Sequence, residues 1–229
     1  TYGQGAEAVP VDEELRRVVP VIEKITRELG VRVSVDTFKP EVARAALAAG
    51  ATIVNDITMG RSDALLEVVA EHETALLVLM HNRGDGRISG KNVEYRNVVE
   101  DVMSELSSAA VRASAAGIRS KRVWLDPGIG FAKTPMQSVS LLALLPDLLR
   151  LGYPVLVGPS RKSFIAELEM RSDVTPAPPS ERLGGTAAAI SLCAWLGASA
   201  VRVHDVAAMR QALLVTEAIR AARVQGGAW

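Results

Sequence analysis

Val31-Arg32-Val33-Ser34-Val35-Asp36-Thr37, then Pro40 to Gly50, then Ala51-Thr52-Ile53-Val54-Asn55-Asp56, is the stretch whose reading decides the fold. A β-branched run gives way to an amphipathic segment that opens on a proline and stops at a glycine, and a second apolar run follows. That is one strand–helix–strand unit with a crossover connection, and such units build parallel sheets.

The same alternation continues to the end of the chain. Strands are expected at Val31–Asp36, Thr52–Asp56, Ala75–His81, Val123–Asp126, Pro154–Gly158 and Ala200–His204. Helices are expected at Val11–Leu29, Pro40–Ala49, Asp63–Glu73, Tyr95–Ala116, Pro135–Leu151, Pro179–Leu196 and Ala207–Val224, and another from Ser163. Pro40 and Pro135 sit at first turns, and Gly50, Gly117, Gly152 and Gly197 fall just past helix ends. Strands this apolar are covered on both faces, which leaves a doubly wound sheet or a closed barrel. The strands end on Asp36, Asn55 with Asp56, His81 and Asp126; Ser160 follows the fifth strand, and Arg202 and His204 close the last. A ring of polar strand ends is where a barrel builds its site. The expected fold is therefore α/β, a TIM-type (β/α)8 barrel with about six of its eight βα units evident, residues 1–229 forming one domain.

Composition removes other classes. Lys plus Arg and Asp plus Glu both total 26 in 229 residues, so no long-range field favours nucleic acid or an anionic membrane. No apolar run reaches the length of a membrane helix, and the first residues lack a signal pattern. The one cysteine, Cys193, lies in the apolar run Ala187–Ala198 and reads as a buried small hydrophobe. A cytoplasmic protein is expected.

The candidate chemistry sits at the strand ends. Asp36 could accept paired N–H bonds from a flat heterocycle, or cap the helix from Pro40. Asn55 could donate and accept at a mixed heterocycle edge, or form a turn with Asp56. In Asp126-Pro127-Gly128-Ile129-Gly130-Phe131 two glycines allow close backbone approach and Phe131 offers a wall against a ring. In Gly158-Pro159-Ser160-Arg161-Lys162 an extended backbone would point Ser160 and Lys162 one way and Arg161 the other; a solvated basic turn is the plain reading. Arg202 and His204 share a strand face, the interior of a barrel, where a buried arginine needs an anion: a phosphate group, or a carboxylate within the barrel. Met80 could pack the barrel or line a ligand, His81 reads as structural, and Arg83-Gly84-Asp85-Gly86-Arg87 reads as a loop.

Taken together, Ser34-Val35-Asp36-Thr37, Val54-Asn55-Asp56, Leu79-Met80-His81, Asp126-Pro127-Gly128-Ile129-Gly130-Phe131, and the pair Gly158 to Lys162 with Val201-Arg202-Val203-His204-Asp205 resemble, in order, the motifs of the dihydropteroate synthases. The resemblance runs from about Ala6 to Val224. It implies that dihydropterin pyrophosphate condenses with 4-aminobenzoate, giving dihydropteroate and pyrophosphate. It implies that Asp36, Asn55, Met80, Asp126, Gly158 and Lys162 bind pterin, that Arg202, His204 and Asn55 meet the pyrophosphate, and that Phe131, Ser160 and Lys162 border the aminobenzoate and sulfonamide pocket. Asp126, Lys162, Arg202 and His204 would be the catalytic set. It also implies Mg²⁺, whose ligand in the family is an asparagine N-terminal to anything in this sequence, and a homodimer, to which Ser180–Leu196 and Ala207–Ile219 could contribute. Thr1 to Ala6 keeps only Gly-Ala of a loop that reads Ser-Thr-Arg-Pro-Gly-Ala in the family. A methyltetrahydrofolate-corrinoid methyltransferase, and a shortened pterin-binding module without turnover, are the alternatives.

Overall fold

Six short parallel strands form the frame of the computed structural model, which describes residues 9–84, 94–168 and 175–224. Thr1 to Ala6, and Asp85 to Arg87 of the Arg-Gly-Asp loop, lie outside the described residues. Helix α1 (Val11–Leu29) leads to β1 (Ser34–Asp36), α2 (Pro40–Ala48), β2 (Ile53–Asp56), α3 (Asp63–Glu71), β3 (Leu76–Met80), α4 (Val98–Ala115) and β4 (Val123–Asp126). Then come α5 (Pro135–Ala143), α6 (Leu145–Leu149), β5 (Leu156–Val157), α7 (Ser163–Glu167), α8 (Leu183–Leu196), β6 (Ala200–Val201) and α9 (Val206–Val224).

Strand order decides the architecture. β1 to β4 pair in chain order, with Val35 opposite Val54, Val54 opposite Leu77, and Leu79 opposite Leu125. The Leu125 amide donates to Pro154 O at 2.9 Å, Leu125 bridges Val155, and β5 then pairs with β6. Among the described strands the order never reverses, so they show no switch point of the doubly wound kind. The described strands make an arc of a singly wound barrel.

Period-2 alternation gives this arc two faces. Val35, Val54, Leu77, Leu79, Leu125 and Val157 pack outward into the main apolar core under the helices. Ser34, Asp36, Ile53, Asn55, Val78 and Trp124 face inward on a cavity of about 450 Å³. In α3 the residues Leu65, Leu66, Val68 and Val69 are all buried, each contributing roughly 1.5–3 kcal/mol by removal from water.

Helix ends follow local chemistry. Pro40 and Pro135 occupy first turns, and the four expected glycines all take positive φ. Thr134 and Gln137 form a reciprocal capping box, and Ser62 caps α3. Three expectations are corrected. Pro135–Leu151 is two helices, because Pro146 cannot donate into the ladder. Pro179–Leu196 begins as a 3-10 turn, with the α-helix starting at Leu183. β5 and β6 are only two residues each, so Arg202 and His204 lie beyond the last strand.

Candidate active site

The β4 end is built on close backbone approach. Asp126 is 6% exposed and accepts a 2.7 Å bond from the Gly128 amide, while its own carbonyl accepts from the His81 amide at 2.8 Å. Gly128 has φ +66°, and a Cβ there would lie 2.0 Å from His81 O. Only glycine fits. Burial pushes the Asp126 carboxyl up to about 6 despite the Gly128 amide, Lys162, Lys133 and Arg202.

After β5 the backbone is not extended as the sequence suggested. The Lys162 amide donates to Pro159 O at 3.3 Å, and Arg161 takes a left-handed conformation at φ +57°. A non-glycine residue there costs about 1–3 kcal/mol and needs surrounding support. Thr186 Oγ1 accepts the Arg161 amide at 3.0 Å, Arg182 donates to the Arg161 carbonyl at 2.8 Å, and the Asp205 carboxylate takes the Arg161 guanidinium at 2.9 and 2.5 Å. The turn still sends Ser160 and Lys162 to one cavity and Arg161 away from it. Lys162 Nζ lies 3.9 Å from the Phe131 ring centroid, and burial lowers its ammonium below the ordinary lysine value.

His204 Nδ1 is 3.0 Å from Ser160 Oγ, which also accepts the His204 amide at 3.2 Å. The Ser160 hydroxyl, with one O–H and two lone pairs, thus holds both the ring and the backbone amide of His204. The buried-arginine expectation is corrected: the Arg202 side chain is 64% exposed, and it reaches Asp36 Oδ2 at 3.0 Å. The carboxylate-pair alternative is realised. Asn55 Nδ2 donates to Asp36 Oδ1 at 2.6 Å, which links the ends of β1 and β2. Asp36 does not cap α2, whose N-cap is Lys39. The turn role falls to Asp56, which accepts from Thr58 and the Gly60 amide at 2.6–2.7 Å.

Eight of the ten expected residues, Met80, Asp126, Phe131, Gly158, Ser160, Lys162, Arg202 and His204, line one cavity of about 320 Å³. Asp36 and Asn55 line the inner cavity instead, and Arg202 borders both. Sequence reasoning missed Lys133, Glu105, Arg83 and the Arg161–Asp205 pair. Lys133, two residues past Phe131, was the one with a readable signal, a lone cation at the end of a glycine loop. Among the described residues no group of three or more His, Cys, Asp or Glu side chains is placed to hold a metal ion. The described residues alone do not supply a cage for Mg²⁺.

The arc of parallel strands carries a carboxyl, an amide and cations at its C-terminal ends, and residues 2–204 match the family described as pterin binding enzyme. Dihydropteroate synthase from Synechocystis sp. is 42% identical over 215 residues, covering 94% of this chain and 73% of that protein. Dihydropteroate synthase from Mycobacterium leprae is 43% identical, over 90% of this chain and 72% of that one. A solved Xanthomonas albilineans dihydropteroate synthase in complex with 7,8-dihydropteroate is 45% identical, with a TM-score of 0.84, 95% of this chain and 78% of that chain being covered. The chain belongs to the dihydropteroate synthases, and its fold is their TIM-type barrel fold.

Proposed function

We propose that the chain binds 6-hydroxymethyl-7,8-dihydropterin pyrophosphate at the β-strand ends and condenses it with 4-aminobenzoate. The observation that carries this reading is the convergence of Asp126, Lys162, Phe131, Ser160, Arg202 and His204 on one cavity. Asp126, ionised above about pH 6, accepts N–H bonds from the pterin and favours the positive charge that builds on the ring as pyrophosphate departs. Lys162 donates to the pterin carbonyl or a ring nitrogen, beside Met80 and Gly158. Asp36 and Asn55, already joined, present a combined acceptor and donor edge. Arg202 has five N–H donors and spends one on Asp36, so others are available to an anion, and the His204 ring lines the same cavity. Phe131 and Ser160 border the amine's approach. Pyrophosphate leaves the pterin methylene with the C–O bonding pair, the amine nitrogen attacks that carbon and gives up a proton, and no covalent enzyme intermediate is required.

Mg²⁺ is expected to arrive on the pyrophosphate oxygens, where it would neutralise charge. A single cytoplasmic domain accords with the buried free Cys193. A homodimer accords with exposed Leu192, Leu214, Val215 and Ile219 on α8 and α9. The methyltransferase alternative gives no use for an Arg202 and His204 pair, because its substrate carries no pyrophosphate.

Calorimetric titration with the dihydropterin pyrophosphate ester and Mg²⁺, followed by 4-aminobenzoate, tests the proposal. Binding followed by dihydropteroate formation is the expected result. Binding without product supports a pterin module, and no binding by folded protein overturns the reading.

A further inference from the structure

We propose that Lys133 is a positioning residue of this site: from behind the β4 loop its ammonium holds Gly128 and Phe131 so that Asp126 and the Phe131 ring face the ligand. The inference rests on the pterin reading above. Lys133 does not line the 320 Å³ cavity, so any effect on a ligand there passes through the loop.

The geometry is a matched set. An ammonium has three N–H donors. Lys133 Nζ lies 2.9 Å from His81 Nδ1, 3.1 Å from Gly128 O and 3.0 Å from Phe131 O, with His81 O further away at 3.5 Å. Because the ammonium can only donate, His81 Nδ1 accepts and the imidazole proton sits on Nε2, which donates to Glu105 Oε2 at 3.0 Å. His81 is fully buried, and burial, with Lys133 and Arg83 beside it, pushes its pKa down to about 2, so the ring stays neutral and keeps this tautomer. Arg83 binds Glu105 and Asp101 and stacks 4.1 Å from the Tyr95 ring centroid. α4 thus fixes Glu105, Glu105 orients His81, and His81 with Lys133 fixes the loop that carries Asp126 and Phe131.

The clamp depends on the proton. Burial lowers the Lys133 ammonium to about 7; Asp126 and Glu105 favour the charged form, and Arg83 and Lys162 oppose it. Below that pH all three acceptors are served. Above it the amine keeps two N–H groups and gains a lone pair facing carbonyl oxygens, which loosens the loop.

The test is the dissociation constant of the dihydropterin pyrophosphate ester, measured by calorimetry from pH 6 to 8.5 on the whole chain, for wild type, Lys133→Met and Lys133→Arg. Wild type should bind most tightly near pH 6.5 and several-fold more weakly at pH 8. Lys133→Met should bind roughly tenfold or more weakly at pH 6.5 with its far-ultraviolet circular dichroism retained, in line with losses seen for supporting residues. Lys133→Arg keeps the charge, but its planar fork cannot converge on three acceptors, so it should stay weak and lose the decline above pH 7. Wild-type affinity in Lys133→Met, or full restoration by arginine, would overturn the proposal alone. If neither variant folds, the wild-type profile decides, and a flat curve overturns it. Wild type that binds no pterin at any pH would overturn the functional reading as well.

Discussion

Asp126 shows how a single side chain trades stability for chemistry. Its folded carboxyl holds a proton up to about pH 6, against an ordinary value of 3.8, because burial outweighs its amide and cation partners. Between those values the folded state binds more protons than the unfolded, so stability falls as pH rises from about 4 to 6 and stays lower above. Asp126→Asn keeps an acceptor for the Gly128 amide and removes the buried charge. The variant should be more stable at pH 7.5, by up to about 3 kcal/mol, and level with wild type near pH 4. It should also bind pterin roughly tenfold more weakly, since the ionised acceptor is lost. Urea unfolding at both pH values with pterin titration checks this, and equal stability at pH 7.5 would contradict the buried-charge account. Arg202 makes a different test. Exposed and only partly engaged by Asp36, it is expected to matter for the anion more than for the fold. Arg202→Ala should weaken the pyrophosphate ester about tenfold or more, and pyrophosphate-free pterin little, in a competition titration; equal losses would make Arg202 a structural partner of Asp36.

At the scale of elements, the β3 and β4 ends are locked by contact between backbones. Gly128→Ala would put a methyl 2.0 Å from His81 O in a left-handed conformation, so one of the two loops must move. A cost of about 2–4 kcal/mol in urea unfolding, with pterin affinity lost in step, is expected; unchanged unfolding would mean the loop relaxes freely. The sequence reading reached these elements unevenly, for physical reasons. Strand and helix order came from periodicity and from glycine and proline punctuation, both of which act locally. Strand lengths did not, because pairing ends where the arc's register ends, as at Val157 and Val201. The Ser160/Lys162 side was named correctly on a mistaken basis: the turn at Arg161 is held by Thr186, Arg182 and Asp205, all distant in sequence. Glu105 was invisible for the same reason, since its partners His81 and Arg83 follow β3, and Lys133, though placed readably at the end of the glycine loop, gave no sign of its contact with His81. Side chains at strand ends are legible in one dimension, whereas the groups that aim them are legible only in three.

On the scale of the whole molecule, α8 and α9 carry the argument about assembly. Arg220 donates to Ala194 O at 2.8 Å and Arg223 lies 5.3 Å from the Trp195 ring centroid, so α9 is fastened to α8 as one platform. That platform leaves Leu192, Leu214, Val215 and Ile219 between 43 and 56% exposed. Val215 and Ile219 are one turn apart and share a helix face. Apolar exposure of this kind suits the proposed homodimer interface, and a twofold pairing would bring the same helices together from both copies. The platform lies on the outer helices, away from the side chains that line the ligand cavity, so association and binding should separate. Ile219→Glu is expected to convert the proposed dimer to a monomer in sedimentation at tens of micromolar, because two carboxylates would meet near the twofold axis without partners. Pterin affinity should stay within about twofold of wild type. A wild-type chain that sediments as a monomer would remove the interface. A monomeric variant that also loses pterin would mean that pairing steadies the β5 and β6 ends through α8, whose Thr186 holds the Arg161 turn.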